Sequence, residues 1–228
     1  MNFSKLKEYR KILNVIDVGC SHYIDKEWEK HKESIKFFLG FDPFGESPYI
    51  DKRFPKNRIY NCAIFDKEGD HLFYICNYNR CSSLFPPNPE VIKNFVKKVS
   101  YSKKKVHRFD IKKTKQVKCI RLDTILSDLE INFDFIKTDT QGADYNVLKS
   151  LGKYLNEQIV GVKLEHYFQP IYKGIALYNE VNRFLNDNGF VLVKKFSKPS
   201  KFTRDFLYIR KDNKKSKQIK LIKKIYKV

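Results

Sequence analysis

The chain has 228 residues, with 46 Lys and Arg against 26 Asp and Glu, a formal net charge of +20, and 42% hydrophobic residues. This composition excludes a disordered protein and suits one globular domain with a substantial core. No apolar run approaches the ~20 residues of a membrane span, and residues 1–11 lack the apolar segment of a signal peptide. The five cysteines form no Cys-x-x-Cys pair. We therefore expect a cytoplasmic protein with free thiols. The charge indicates either an anionic partner, such as nucleic acid, a phosphorylated glycan or a membrane surface, or a genome-wide preference for lysine.

The first third of the chain predicts two parallel strands joined by a crossover helix. The apolar runs at 15–18 and 37–41 predict buried strands, and the charged segment 23–36 between them carries apolar side chains at helical spacing. A short helix over 2–11 is expected to lead into the first strand. Proline and glycine after the second strand predict a loop.

The middle of the chain predicts a β-hairpin followed by an insertion. Strands at 58–65 and 72–76 flank a turn at 67–70. The segment 78–118 then interrupts the alternation of strands and helices, with a short helix at 90–99 before a run of lysines. We expect this segment to form an insertion near the active face of the sheet.

The remaining sequence returns to alternating elements. Strands are predicted at 117–121, 133–137 and 159–164, and helices at 122–129, from 144 onward, and at 177–188. The runs 190–196 and 205–210 predict a closing antiparallel hairpin. The basic tail at 213–228 interleaves apolar residues with lysines, which suits a solvated end or an amphipathic helix on a membrane surface or on a partner.

This order predicts an α/β fold with a doubly wound, mostly parallel sheet and a C-terminal antiparallel hairpin. Such a hairpin is typical of Rossmann-like class I methyltransferase folds, although periodicity alone does not separate these from dehydrogenases. We expect a single domain over 1–212, with the insertion at 78–118, followed by the basic tail at 213–228.

Two acids at strand ends predict a nucleotide-cofactor site. Asp17 and Gly19 end the first strand and Asp42 ends the second, so both acids are expected at the carboxyl edge of the sheet, where such folds bind nucleotides. A pyrophosphate requires Gly-x-Gly-x-x-Gly, but bulky residues follow the single glycine here. S-adenosylmethionine has no phosphate, so a site for it tolerates bulky residues after the glycine. Asp17 would then orient the turn and attract an ammonium group, and Asp42 would hold the ribose.

A later strand end carries the candidate catalytic groups. Asp139 follows the strand at 133–137 and is expected to face the same crevice as Gly19, where it could deprotonate an acceptor hydroxyl. Alternatively, Asp139 or Thr140 caps the following helix. Glu165 and His166 end the next strand and form a second acid–base pair. Histidines and cysteines lack zinc spacing, so no metal is expected, although a divalent ion held by Asp139, Glu165 and His166 remains open.

In the order and spacing of its motifs, the chain resembles the FkbM family of S-adenosylmethionine-dependent methyltransferases over roughly residues 14–210. The matching pieces are Val15-Ile16-Asp17-Val18-Gly19, Gly40-Phe41-Asp42-Pro43, Asn61-Cys62-Ala63-Ile64, Ser82-Ser83-Leu84, Leu122-Asp123-Thr124-Ile125-Leu126, the segment 133–145, and Glu165 with Tyr172 and Gly174. The resemblance implies a Rossmann-like fold and methyl transfer to an oxygen, usually a hydroxyl of a sugar, glycan, glycolipid or secondary metabolite.

The resemblance also implies roles for individual residues. Cofactor contacts are expected from Asp17, Gly19, Cys20, Ser21, Asp42, Pro43, Cys62, Ala63 and Asp139. The expected catalytic residues are Asp139, Glu165 and His166, and the expected acceptor contacts are Ser83, Gln141 and Tyr172. Two positions depart from the family pattern: His22 or Tyr23 replaces a later glycine of the first loop, and Gln141 stands where many members have Glu.

Other functions remain open at this stage. The charge favours a nucleic-acid methyltransferase, and the lack of an Asn-Pro-Pro-Tyr or Asp-Pro-Pro-Tyr motif argues against base methylation but not against ribose methylation. A degenerate methyltransferase fold could instead serve as a non-catalytic module that binds a membrane or a glycan-assembly partner. A nicotinamide dehydrogenase is disfavoured by the missing glycines. The favoured function is an O-methyltransferase with a small-molecule or glycan acceptor, whose basic tail could contact an anionic partner or a membrane surface.

Overall fold

The computed structural model describes residues 11–21, 25–44, 54, 56–98, 107–196, 202–211 and 215–228. Within them the strands are β1 (Leu13–Val18), β2 (Ile35–Phe41), β3 (Asn57–Tyr60), β4 (Ala63–Ile64), β5 (Gly69–Cys76), β6 (Ile111–Ile120), β7 (Phe135–Thr138), β8 (Gly161–Tyr167), β9 (Phe190–Lys195) and β10 (Thr203–Arg210). The helices are α1 (Lys26–Lys30), α2 (Pro89–Lys98), α3 (Leu122–Ser127), α4 (Asp144–Ser150), α5 (Tyr154–Glu157), α6 (Tyr178–Asp187) and α7 (Ser216–Tyr226). No helix among these residues combines the length and the apolar composition that crossing a membrane requires.

The main sheet has seven strands in the order β3-β2-β1-β7-β8-β10-β9. Its strands pair in parallel from β3 to β8, whereas β10 is antiparallel to both β8 and β9. The predicted hairpin therefore inserts its second strand between β8 and β9. This is the Rossmann-like, mostly parallel architecture that the sequence predicted.

The two faces of this sheet carry separate hydrophobic clusters, because successive side chains of a strand point to opposite faces. Ile16 and Ile136 belong to the cluster that includes residues of α3, α4 and α6. Val15 and Phe135 face the other way and pack with residues of α1 and α7. Helices cover both faces, which is why β1 and β7 are continuous apolar runs.

The basic tail folds back onto the sheet as α7. Its apolar residues are buried: Ile219, Leu221, Ile222, Ile225 and Tyr226. The Tyr226 ring stacks on Phe135, with 5.7 Å between the ring centroids, and meets the edge of Trp28. The apolar face of the predicted amphipathic helix is thus covered by the protein's own core and is not available to a membrane or a partner.

The predicted hairpin between 58–65 and 72–76 is wrong. The first run divides after Tyr60: β3 joins the main sheet, and β4 joins a second sheet with the order β4-β6-β5. The antiparallel partner of β5 is β6, which is longer than the predicted strand at 117–121 and begins inside the predicted insertion. An alternating pattern specifies a strand but not its partner, and here the partner is distant in sequence.

Several predicted boundaries also change. Of the helix expected over 23–36, the described residues from 25 onward form only the short α-helix α1, where the carboxylate of Asp25 accepts a hydrogen bond from the backbone N–H of Glu27. Ile35, expected on that helix, begins β2 instead. The lead-in helix at 2–11 falls almost entirely outside the described residues, as do His22 and Tyr23.

Candidate functional site

A cleft of about 800 Å³, including its open mouth, lies at the carboxyl edge of β1, β2 and β7. Eight of the predicted site residues line it: Gly19, Ser21, Asp42, Pro43, Cys62, Ala63, Asp139 and Gln141. Its remaining walls are largely apolar and include Phe44, Phe73 and Leu84. We call this cleft the cofactor cavity, because it lies at the edge of the sheet where open α/β folds bind nucleotides.

The turn after β1 packs directly against the turn after β7. The backbone N–H of Asp139 donates to the carbonyl of Val18 at 3.0 Å. Gly19 adopts a φ of +83°, and a Cβ at this position would lie 2.2 Å from the carbonyl oxygen of Asp139. Only glycine accommodates both the left-handed backbone and this close approach, so the single glycine of the loop serves the contact between the two turns.

Asp42 organises the loops that border the cavity. Its Oδ1 accepts from the backbone N–H of Phe44 at 2.8 Å, and its Oδ2 accepts from the N–H of Ser21 at 3.2 Å. The carboxylate thereby connects the end of β2 to the turn after β1. A carboxylate at the end of the second strand is also where such folds bind the hydroxyls of a ribose.

Asp17 lies behind the cavity wall rather than in it. Its Oδ1 accepts from Lys137 Nζ at 2.9 Å, and both side chains are buried. Oδ2 of Asp17 has no hydrogen-bond partner among the described residues. Burial raises the pKa of Asp17, and the ammonium group of Lys137 opposes that rise. The ammonium group that the Asp17 carboxylate binds in this structure is therefore that of Lys137.

A second cleft, of about 790 Å³ including its mouth, adjoins the cofactor cavity and shares Asp139 with it. We call it the adjoining cavity. Its lining is mostly charged, with five carboxylates and three lysines: Asp25, Glu27, Asp139, Glu165, Asp205, Lys26, Lys137 and Lys163. Lys163 forms an ion pair with Asp25, and burial raises the pKa of Asp205 although Lys163 opposes it.

Glu165 is the most perturbed acid of this lining. The hydroxyl of Tyr167 donates to its Oε2 at 2.7 Å. Burial and the nearby Asp139 carboxylate together raise the pKa of Glu165 to about 8. Glu165 can therefore gain or lose a proton near neutral pH, as an acid–base group requires.

The predicted pair of Glu165 and His166 does not form. Adjacent residues of β8 point to opposite faces of the sheet, and His166 lies in the core with its Nε2 hydrogen-bonded to the hydroxyl of Tyr208 at 2.9 Å. Its ring packs on Phe206 and Tyr178, and burial lowers the pKa of His166 to about 3. Asp139, Glu165 and His166 therefore do not converge on a common metal position.

Three further predicted contacts lie outside both cavity linings. Cys20 is buried in the cluster beneath the sheet. Ser83 and Tyr172 are also buried, and both hold Gln141: the hydroxyl of Ser83 donates to its carbonyl oxygen at 2.6 Å, and that of Tyr172 to its Oε1 at 3.0 Å. Gln141 in turn donates from Nε2 to Asp139 Oδ1 at 2.9 Å. Ser83 and Tyr172 therefore contact a residue of the cofactor cavity lining, Gln141, but do not line the cavity themselves.

The alternative that Asp139 or Thr140 caps the following helix is wrong. The backbone N–H groups of Thr140 and Gly142 both bond to the carboxylate of Asp144, each at 3.3 Å. Asp144 also accepts from the hydroxyl of Thr138 at 2.8 Å. Burial and the nearby Asp139 carboxylate raise the pKa of Asp144 to about 6. Asp144 shapes this turn, which leaves Asp139 to face the cavities.

A family model described as the methyltransferase FkbM domain matches residues 14–192. The chain belongs to the FkbM methyltransferase family. It is an S-adenosylmethionine-dependent methyltransferase with a Rossmann-like fold. A search of curated protein sequences found no significant match.

Solved structures similar to this FkbM methyltransferase share little sequence with it. The methyltransferase FkbM from Methylobacillus flagellatus KT is 12% identical over 87% of this chain and 44% of that one, with a TM-score of 0.48. The magnesium protoporphyrin IX methyltransferase (ChlM) from Synechocystis PCC 6803 with bound SAM is 12% identical over 87% and 70%, with a TM-score of 0.38. The ribosomal protein L11 methylase from Lactobacillus delbrueckii subsp. bulgaricus is 14% identical over 91% and 75%, with a TM-score of 0.41. The assignment therefore rests on the family match.

The cofactor cavity of this FkbM methyltransferase fits S-adenosylmethionine in its donor set. A carboxylate is present for the ribose at Asp42, and apolar walls suit the adenine. The expected contact of Asp17 with the cationic amino-acid end is not part of this set, because Asp17 is buried behind the cavity wall.

Sequence reasoning missed most of the adjoining cavity. Lys137 and Lys163 offered a usable signal, because a lysine inside a buried strand must be paired. Asp205 and Phe196 carried no such signal. Asp205 joins the site only because β10 pairs with β8 and places it opposite Glu165.

Proposed function

We propose that this protein transfers a methyl group from S-adenosylmethionine to a hydroxyl of a sugar, glycan, glycolipid or similar polyhydroxylated metabolite. The observation that carries the proposal is the position of Asp139, which lines both the cofactor cavity and the adjoining cavity. A group at that boundary can contact cofactor and acceptor at the same time. The adjoining cavity is then the acceptor site.

The lining of the adjoining cavity supports a hydroxylated acceptor. Carboxylates accept hydrogen bonds from hydroxyls, and lysine ammonium groups donate to hydroxyl oxygens. The lining includes groups of both kinds, among them Glu165, Asp205 and Lys163, with Phe196 as an apolar contact. An extended apolar substrate would instead remove water from these charged groups without offering them hydrogen bonds.

In this proposal the residues of the two cavities have distinct roles. When bound, S-adenosylmethionine supplies a methyl group made electrophilic by its cationic sulfur. Asp42 binds the ribose, and Asp139 removes the proton of the acceptor hydroxyl as general base, a role worth about 10²–10⁴-fold in rate. Glu165 exchanges protons with the acceptor site, because its pKa is about 8. Holding the hydroxyl close to the methyl group contributes the remaining acceleration.

A nucleic-acid acceptor has less support. The lining of the adjoining cavity has more carboxylates than lysines, so a phosphodiester backbone would meet excess negative charge there. Exposed lysines lie elsewhere, for example at Lys112 and Lys118 on β6 and Lys220 on α7.

We also propose a reducing, cytoplasmic setting, because the five cysteines are free thiols.

The test is methyl transfer from tritiated S-adenosylmethionine to a panel of free sugars, sugar nucleotides and an RNA pool. Wild-type protein should label a sugar-containing acceptor. Asp139→Asn should reduce that turnover at least about 100-fold while cofactor affinity, measured by calorimetry, changes little. The exposed acid Asp187 provides the control Asp187→Asn. Unchanged turnover in Asp139→Asn, or labelling of RNA alone, would contradict the proposal.

A further inference from the structure

Gln141 has an unusual backbone and an unusually complete set of contacts. Its φ of +56° is left-handed, a conformation that is costly for a residue with a side chain and persists only where surrounding contacts impose it. Here Ser83 binds its carbonyl oxygen at 2.6 Å, Tyr172 binds Oε1 at 3.0 Å, and Nε2 binds Asp139 at 2.9 Å. Strained backbone held in this way beside a cavity is typical of a residue that positions another group.

The contacts determine which way the amide of Gln141 points. The Tyr172 hydroxyl is 3.0 Å from Oε1 of Gln141 and 3.1 Å from the carbonyl oxygen of Cys81, so its single proton is shared between two acceptors. With the amide reversed, Oε1 would face the Asp139 carboxylate, and two acceptors would oppose each other. An ionised Asp139 therefore requires the observed orientation, with Nε2 as donor.

The same residues can also satisfy a protonated Asp139. Once Asp139 has taken a proton, its hydroxyl becomes a donor, and an amide turned by half a rotation presents Oε1 to accept that bond. Nε2 then donates to the Tyr172 oxygen, and the Tyr172 proton bonds to the Cys81 carbonyl alone. An ionised glutamate at position 141 could not do this, because it has no donor for the ionised Asp139 carboxylate.

We propose that Gln141 and Tyr172 are positioning residues that hold the Asp139 carboxyl group in one place through both of its protonation states. The proposal rests on the proposed role of Asp139 as general base. It adds that the contacts of Gln141 and Tyr172 keep the Asp139 carboxyl group aligned. It also gives a reason for the residue at position 141, where an amide replaces the acid expected from the family pattern. Ser83 contributes by anchoring the strained backbone of Gln141.

The test is nuclear magnetic resonance of side-chain amide groups in ¹⁵N-labelled protein. Gln141→Glu, which has nearly the same shape, identifies the Gln141 Nε2 signals by their loss. In Asp139→Asn the side chain at position 139 is neutral and has a donor of its own, so these signals should move, because Nε2 exchanges its acceptor at position 139 for the Tyr172 oxygen. In Tyr172→Phe the two proton signals of the Gln141 amide should lose part of their separation, because Oε1 loses its donor. The exposed Gln116 on β6 is the internal control and should not respond.

Two results would overturn the proposal. One is that the Gln141 signals do not move in Asp139→Asn. The other is an unchanged Gln141 amide in Tyr172→Phe. A glutamine whose amide bonds either no group at position 139 or no hydroxyl at position 172 would give one of these results. Because no turnover is measured, loss of the proposed function would be recognised separately, as full methyl transfer by Asp139→Asn.

Discussion

Replacing Lys137 by Met tests the buried ion pair beneath the two cavities. Lys137 Nζ lies 2.9 Å from Asp17 Oδ1, and the two side chains are only 8% and 2% exposed. Methionine has nearly the length of lysine, so the change removes the charge with little loss of packing. Removing one member of a buried pair costs about 3–5 kcal/mol, because the other charge remains buried without a partner. That loss is a large fraction of the roughly 5–15 kcal/mol by which a domain is stable.

The variant should also have a distinctive pH dependence. Burial already raises the pKa of Asp17 against the effect of Lys137, so without the lysine the pKa rises further. The native state then retains a proton that the unfolded state loses above its pKa of about 3.9. The free energy of unfolding of Lys137→Met, relative to wild type, should therefore fall as pH rises above the folded-state pKa of Asp17 in the wild type, and level off above its higher folded-state pKa in the variant.

Urea unfolding, followed by circular dichroism at several pH values, measures both effects. The double variant Asp17→Asn with Lys137→Met should recover part of the loss, because it leaves no buried charge. The matched control is Lys93→Met, since Lys93 and Glu90 form a 3.6 Å pair with side chains 62% and 84% exposed; its cost should stay within about 0.5 kcal/mol. A Lys137→Met cost below about 1 kcal/mol, or strictly additive effects in the double variant, would refute the reasoning.

Two further predictions concern the cavities. Gly19→Ala should weaken S-adenosylmethionine binding, measured by calorimetry, at least about tenfold, because the new Cβ would lie 2.2 Å from the Asp139 carbonyl oxygen. Gly69→Ala is its control, with a φ of +116° but no atom within 4 Å of the added carbon, and equal effects of the two changes would contradict the prediction. Glu165→Gln should flatten the pH dependence of thermal unfolding. The raised pKa of about 8 makes wild-type stability fall as pH rises from about 4.3 to about 8, and an unchanged slope between pH 5 and 9 would show that Glu165 is not responsible.

Much of the cofactor cavity could be predicted from sequence because its residues follow strands. Gly19, Asp42 and Asp139 each come directly after a buried apolar run, and the carboxyl ends of parallel strands meet at one edge of a sheet. The strand order did not need to be known in detail for this conclusion. The residues that follow these strands could therefore be predicted to share one site.

The direction of other side chains could not be read in this way. Glu165 and His166 are neighbours in sequence, but the pleat of β8 sends one to the adjoining cavity and the other to the core. The predicted acceptor residues Ser83 and Tyr172 are buried and act on Gln141 instead. Which face of a strand borders a cavity depends on the elements that pack against that strand.

The amino-acid sequence by itself determined the class of the sheet, the family, and the acids that end its strands, because these depend on local apolar runs and on the polar residues that stop them. The tertiary structure decided the partner of β5, the burial of α7 and the composition of the adjoining cavity. Each of these depends on contacts between segments that are distant along the chain, such as Asp205 of β10 beside Glu165 of β8. Local patterns specify elements, whereas register and packing specify which charged groups share a site.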